Sequence, residues 1–184
     1  THKNIHILWF SLEMTGKFLR QRMMSEYLNR VHNLTYSFSD LQGFTDRRLT
    51  EEQIQYLYAE AEIEIGHLSN NFYIFEQAAS KELVDYVVET YMLSIGKLVK
   101  GEDTEDHYKP NNPNDLVVVI TDHTALLAKG KDENDEFHKI REFSKATASR
   151  RNKFGTCEIV VNQAGKQVAN IANKPNDYHI NRDH

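Results

Sequence analysis

Six consecutive apolar or β-branched residues, "LVVVIT" at 116–121, constrain the fold of this chain more than any other feature. Such an uninterrupted run is typical of a strand that is buried on both faces, as strands of parallel sheets are. Parallel strands need long crossover connections, which are usually helices. The run therefore predicts an α/β domain in which strands and helices alternate.

Strand-like and helix-like segments do alternate along the chain. The strand-like runs are 4–12, 71–76, 116–121 and 157–161, and apolar residues recur at helical spacing in 15–31, in the segments that begin at Thr50 and Ser80, and in 134–152. Residues 33–49 and 100–115 are polar and irregular, which predicts loops. The order β-α-α-β-α-β-α-β predicts an α/β domain with a mostly parallel sheet flanked by helices.

Size and composition fit one globular domain. The chain has 184 residues, 40% hydrophobic and 27% charged, and its formal net charge is −5. This balance excludes a protein that is basic as a whole, so any contact with nucleic acid depends on local patches. No stretch approaches the roughly 18 apolar residues that span a bilayer. The single cysteine, Cys157, lies in an apolar run, which predicts a small buried residue in a reducing compartment.

Three of the four predicted strands end on a polar functional group. Glu13 follows the first strand, Asp122 the third and Gln163 the fourth. Because ligands bind outside the carboxyl ends of the strands in an open α/β sheet, we expect these side chains to lie along one functional edge. Each also has a structural interpretation: Glu13 as a solvated or paired acid, Asp122 as a helix cap, and Gln163 as a partner of a neighbouring strand.

The chemistry that suits these three groups together is nucleotide hydrolysis. An aspartate at a strand end, here Asp122, is suited to holding Mg²⁺, which bridges phosphate oxygens. A carboxylate on the neighbouring strand, here Glu13, is suited to activating the attacking water. An amide at a third strand end, here Gln163, is suited to sensing the terminal phosphate through a hydrogen bond.

A phosphate-binding loop of the form G-x-x-x-x-G-K-[ST] does not occur in the 184 residues. The segment "TGKF" at 15–18 contains the Gly-Lys pair, but Phe18 stands where Ser or Thr is required, and no glycine precedes Gly16 by five residues. A nucleotide-binding function would therefore need its phosphate cradle from residues before Thr1.

Five segments resemble, in the right order, the ATPase domain of hexameric replicative DNA helicases of the DnaB type. They are "WFSLEMTGKFLRQRMMSEY", "RRLTEEQIQYL", "NFYIFEQAASKELVDYVV", "LVVVITDHTALL" and "FSKATASRRNKFGTCEIVVNQAGK". The resemblance implies a RecA-like P-loop NTPase core that lacks the P-loop strand and the C-terminal strands. Residues 1–184 are then expected to form a single motor domain that is incomplete at both ends.

The resemblance also implies residue roles. Glu13 corresponds to the catalytic glutamate that activates water, Asp122 to the Walker B aspartate at Mg²⁺, and Gln163 to the sensor glutamine that couples the terminal phosphate to DNA contact. The segments that correspond to the DNA-facing loops of the ring contain four lysines, which are Lys129, Lys131, Lys166 and Lys174. Lysines there are suited to pairing with DNA phosphates, and ordinary surface lysines are the alternative.

The implied cofactors are ATP and Mg²⁺, and the implied partners are single-stranded DNA, identical subunits in a homo-hexameric ring, and a primase or helicase loader, in bacterial or phage-infected cytoplasm and without a membrane. The chain departs from the family after Asp122, where His123 replaces the usual tyrosine. This histidine is expected either to line the nucleotide site or to pack as the tyrosine does. Such departures fit a divergent member of the family, such as a phage protein.

Three functions remain open at this point. The chain is part of an ATP-dependent DNA helicase, or a catalytically degenerate RecA-like interaction or loader module, or part of a recombinase-like or circadian-type RecA ATPase. The co-occurrence of Glu13, Asp122 and Gln163 favours an enzyme, and the wording "FSLEM" favours the helicase. Because no Walker A motif is present, we expect the chain alone to hydrolyse ATP poorly.

Overall fold

The computed structural model describes residues 4–47, 49–57, 59, 70–77, 79–100, 107–127 and 136–162. In chain order the elements are β1 (Asn4–Ser11), α1 (Gly16–His32), α2 (Phe38–Leu41), the helical segment α3 (51–57), β2 (Phe72–Phe75), α4 (Lys81–Ile95), β3 (Gly96–Val99), β4 (His107–Pro110), β5 (Asp115–Asp122), a 3-10 turn (Thr124–Leu126), α5 (Glu136–Phe154) and β6 (Cys157–Val160). The predicted alternation of strands and helices is confirmed.

The largest sheet has four strands in the order β2-β1-β5-β6. All three neighbouring pairs are parallel. β1 and β5 pair over their full length, from Asn4 beside Asp115 to Ser11 beside Asp122. The predicted parallel sheet is therefore confirmed, and all four strands end at the same edge.

The main hydrophobic core lies on one face of this sheet. Leu8 and Phe10 of β1 and Val117 and Val119 of β5 are buried, and they share a face because alternate residues of a strand point to the same side. Their partners in the core are Val84, Val88 and Met92 of α4 and Phe143 and Phe154 of α5. The two helices thus hold the central strands in place from one side.

The opposite face of β5 is only partly buried among the described residues. Val118 and Ile120 are intermediate in exposure, so the expectation of a strand buried on both faces is wrong for this part of the chain. The physical reason is that α1 buries its apolar side elsewhere. It forms a separate small core with α2 and α3, which consists of Met24, Leu28, Leu41 and Leu57.

A second, two-stranded sheet occupies part of the segment 100–115, where the sequence predicts only a loop. β4 pairs antiparallel with β3. Tyr108 of β4 contacts the ring of Phe154 edge-on and donates a hydrogen bond from its hydroxyl to the carbonyl oxygen of Met92 at 2.9 Å. The sequence does not reveal β4 because the strand has only four residues and ends at a proline.

Several helix ends have capping residues, and the helical segments begin at Thr50 and Ser80 as the sequence predicts. Thr50 and Gln53 form the capping box, with the Gln53 amide 3.2 Å from the Thr50 hydroxyl and the Thr50 amide 2.9 Å from the Gln53 side chain. Ser80 accepts from the Leu83 amide at the start of α4. Gly155 follows α5 with a φ of 73°, a left-handed conformation that glycine adopts without steric cost.

Cys157 is exposed, so the prediction of a buried thiol is wrong. The residue opens β6, which is the outermost strand of the sheet among the described residues, and three of its four residues are exposed. The helices of the described residues include none that is long and apolar enough to cross a membrane.

Candidate functional site

The carboxyl edge of the parallel sheet brings Glu13 and Asp122 together. Asp122 is the last residue of β5, and Glu13 stands two residues beyond the end of β1. Pairing between these strands continues past β1, because the Leu12 amide donates to the carbonyl oxygen of Asp122 at 2.7 Å. This hydrogen bond fixes the backbone that carries Glu13 beside the end of β5.

His123 joins the two acids. Its Nδ1 lies 3.2 Å from Oε2 of Glu13. One ligand atom from each of Glu13, Asp122 and His123 lies within 4.8 Å of the other two, and the peptide bond between Asp122 and His123 is cis. The His123 side chain is 9% exposed and that of Glu13 is 61% exposed. The site thus combines a buried ring with a carboxylate that solvent can reach.

The donor set of this group fits a divalent cation. Carboxylate oxygens are the ligands that Mg²⁺ prefers, usually one or two of them together with water and substrate phosphates. Glu13 and Asp122 supply such oxygens, whereas the imidazole of His123 is a ligand more suited to transition metals. The carboxylate of Asp122 therefore suits Mg²⁺, with water and phosphate oxygens as the further ligands.

The backbone that follows Asp122 is anchored on two sides. The Thr124 amide donates to the carbonyl oxygen of Val161 at 3.1 Å. From α5, the buried ammonium of Lys139 donates to the carbonyl oxygens of Ala125 at 2.8 Å and of Leu127 at 3.0 Å. A buried charge is tolerated only when it is hydrogen-bonded, and here its two bonds hold the 3-10 turn against α5.

Glu76 is a further acid at this edge that sequence analysis did not single out. It follows β2, the neighbour of β1. Its carboxylate lies against the first turn of α1, where a side chain on Gly16 would overlap Oε1 of Glu76. The helix dipole favours a negative charge at this position, which gives Glu76 a structural role. The signal was available, since "FYIFE" also is an apolar run that ends on an acid.

The third predicted strand-end residue, Gln163, lies outside the described residues. The strand that it follows, β6, is the neighbour of β5, and the Val161 amide donates to the carbonyl oxygen of Thr121 at 3.0 Å. The lysines predicted for DNA contact also lie outside the described residues, and they are Lys129, Lys131, Lys166 and Lys174. The roles of all five residues stay predictions.

The roles of His123 and Lys139 are harder to predict from the sequence than those of the acids at the strand ends. His123 stands next to Asp122, which is a signal of position, but the sequence does not tell whether its ring faces the acids or the core. Lys139 lies in a helix that is rich in charged residues. Nothing in its spacing distinguishes it from a solvated lysine.

Two solved structures share the fold of this chain. The first is a DnaB-like replicative helicase described with its interactions with primase, at a TM-score of 0.61 and 18% identity, covering 90% of this chain and 34% of that one. The second is described as an ATPase domain, at a TM-score of 0.55 and 19% identity, covering 91% of this chain and 50% of that one.

This chain therefore spans between a third and a half of the length of the solved chains that it matches. No family model and no curated protein sequence matches it. At such identities the likeness establishes the fold, and it confirms the RecA-like α/β architecture expected from the sequence.

Proposed function

We propose that this chain, which has the RecA-like fold of DnaB-type helicase ATPase domains, is part of an ATP-dependent replicative DNA helicase. The observation that carries the proposal is the meeting of Glu13 and Asp122 at the carboxyl ends of neighbouring parallel strands. This edge is where open α/β sheets bind ligands. Two acids placed there serve nucleotide hydrolysis, whereas a purely structural domain has no need of them.

Each acid has its own task in this proposal. Asp122, at the end of a central strand, is the residue that would hold Mg²⁺. When bound, the ion supplies positive charge that neutralises the phosphate oxygens. Glu13 acts as the general base, since its solvent-accessible carboxylate can accept a proton from the attacking water. Gln163 at the end of the next strand would sense the terminal phosphate.

The helicase activity adds DNA and further subunits to this site. We propose that Lys129, Lys131, Lys166 and Lys174 pair with phosphates of single-stranded DNA, which is the contact that charge neutralisation favours. The protein would translocate on that strand and unwind duplex DNA at the replication fork as a homo-hexameric ring. The DnaB-like neighbour interacts with primase, and a primase or loader is the corresponding partner proposed here.

The experiment requires the complete protein, because the 184 residues contain no phosphate-binding loop. Glu13→Gln keeps the size of the side chain and removes the base. We expect the variant to bind a fluorescent ATP analogue as the parent does and to hydrolyse ATP about 10²- to 10⁴-fold more slowly, the contribution that general bases typically make.

Glu89→Gln is the matched control, since Glu89 lies on α4 and makes a partly exposed ion pair with Lys153. This control is expected to hydrolyse ATP at the parental rate. Equal rates for Glu13→Gln and the parent would remove Glu13 from the mechanism. A loss of nucleotide binding in Glu13→Gln would show that the residue holds the nucleotide instead of activating water.

A further inference from the structure

We infer that His123 is a positioning residue that orients the carboxylate of Glu13. This inference rests on the proposed function, because it assigns the group that holds the general base. The contact that carries it joins Nδ1 of His123 to Oε2 of Glu13 at 3.2 Å. The resemblance to helicases does not suggest it, since this chain has histidine where that family usually has tyrosine.

The direction of this hydrogen bond follows from the chemistry of the two groups. An ionised carboxylate offers only acceptors, so the proton of the bond belongs to Nδ1 of His123, which donates. The bond occupies Oε2 and leaves Oε1 of Glu13 to accept a proton from water. One oxygen is thus held while the other remains reactive, as in sites where a second group orients the base.

His123 is held in place by the surrounding backbone. The carbonyl oxygen of Asp122 accepts from Leu12 at 2.7 Å, and the carbonyl oxygen of His123 accepts from Leu126 at 3.1 Å. The Thr124 amide donates to the carbonyl oxygen of Val161, the residue after β6, and Lys139 holds the turn that follows. The ring is also buried. His123 is therefore a fixed donor at the edge of the sheet.

Glu13 has no comparable support from its own position. Its side chain is largely exposed, with 61% of its surface accessible, and it stands beyond the last residue of β1. An exposed glutamate samples several rotamers, and catalysis requires one of them. A fixed donor that binds an exposed carboxylate selects one orientation of that carboxylate. The pair contributes little to the stability of the fold, because solvent screens it.

The test compares two variants of the complete protein that differ in where they place an amide. In His123→Asn the side-chain NH₂ takes the position of Nδ1, whereas in His123→Gln it takes that of Nε2. We expect His123→Gln to lower kcat for ATP hydrolysis about 10- to 100-fold, the usual effect of removing a group that orients an active-site residue. His123→Asn is expected to recover most of the rate.

The KM for ATP and the melting temperature are expected to stay close to the parental values in both variants, because His123 acts on the base and not on binding. The same pair of substitutions at His107, an exposed residue of β4, serves as the control and is expected to leave kcat unchanged. Equal losses in His123→Asn and His123→Gln, or a matching fall in melting temperature, would show that the ring only packs and would overturn the inference.

A double substitution separates this inference from the proposed function. In the Glu13→Gln background, His123→Gln is expected to cause no further loss of rate, since the residue acts through Glu13. A further loss as large as in the parent would overturn the positioning role. If the complete parent protein released no phosphate from ATP, the proposed function itself would fail, whereas full activity in Glu13→Gln would remove Glu13 from the mechanism and the positioning role with it. If Glu13→Gln were inactive and His123→Gln fully active, only the positioning role would fail.

Discussion

Asp122 takes part in both the sheet and the candidate site. Its carbonyl oxygen accepts the Leu12 amide, so its backbone extends the pairing of β5 with β1. Its side chain belongs to the group with Glu13 and His123. The two roles use different atoms, and a substitution that changes only the carboxylate can therefore separate them.

Asp122→Asn is such a substitution, because it removes the charge and keeps the shape. In the complete protein we expect the Mg²⁺ concentration that gives half-maximal ATP hydrolysis to rise about tenfold, which corresponds to roughly 1.4 kcal/mol of lost attraction. A Mg²⁺ titration of the hydrolysis rate measures this. The exposed Asp46 provides the control as Asp46→Asn. An unchanged Mg²⁺ requirement in Asp122→Asn would contradict the assignment.

Site residues whose positions depend only on the order of the strands can be predicted from the sequence. Glu13 and Asp122 were found by a rule about strand ends, and that rule needs only the order of the strands. The contact between His123 and Glu13 depends on the direction of a single side chain, which periodicity does not determine. The burial of Lys139 cannot be predicted for a similar reason. A buried lysine that binds two carbonyl oxygens has the same sequence signature as a solvated one.

At the scale of elements, α5 connects α4 to β6 through one buried side chain. The guanidinium of Arg150 binds both carboxylate oxygens of Glu158, at 3.1 and 3.0 Å, and also Asp85. It also lies over the ring of Phe143. Burial alone would lower the pKa of Arg150, but the hydrogen bonds and charges of Glu158 and Asp85 outweigh it and the pKa is raised. The ion pairs thus fix β6 relative to both helices.

Arg150→Met is expected to lower the free energy of unfolding by about 3–5 kcal/mol, because it leaves the buried carboxylate of Glu158 without its positively charged partner. Lys153→Met on the same helix removes a partly exposed pair with Glu89, and it is expected to cost less than about 1 kcal/mol. Chemical denaturation followed by circular dichroism measures the free energy of unfolding of both variants and of the parent. Equal losses would show that the Arg150 network contributes no more than a surface pair.

The elements that the sequence predicted are those that lie in a marked apolar pattern. Strands with continuous apolar runs and helices with several apolar turns carry enough periodic signal to be located. The strands β3 and β4 and the helix α2 have four residues each and mix polar with apolar side chains, whereas the equally short β2 and β6 lie in more continuous apolar runs. The apolar residues of α1 do not all pack against neighbouring elements, because Leu19 and Leu28 are buried while Phe18 and Val31 are exposed.

At the scale of the whole molecule, the parallel sheet determines where chemistry is placed. The four strands β2, β1, β5 and β6 run in one direction. The residue that follows each strand therefore lies at the same edge of the sheet. The likeness to the solved DnaB-like helicase extends over 90% of the chain. The sequence resemblance anticipated this fold, since motif order depends on topology and survives at low identity.

The activity of the whole protein was not accessible to the same reasoning. The proposed DNA contact, ring formation and phosphate cradle would not depend on the described residues, and the described residues therefore give no observation that bears on them. Gln163 and the four lysines therefore remain predictions. The net charge of −5 adds only that any DNA binding would have to come from local positive patches.

We propose that this edge of the sheet hydrolyses ATP for work on DNA. The rate of phosphate release from ATP by the complete protein, with and without single-stranded DNA at saturating Mg²⁺, is the first quantity to measure. We expect hydrolysis that single-stranded DNA stimulates and that chelation of Mg²⁺ abolishes. No phosphate release under any of these conditions would overturn the proposed function.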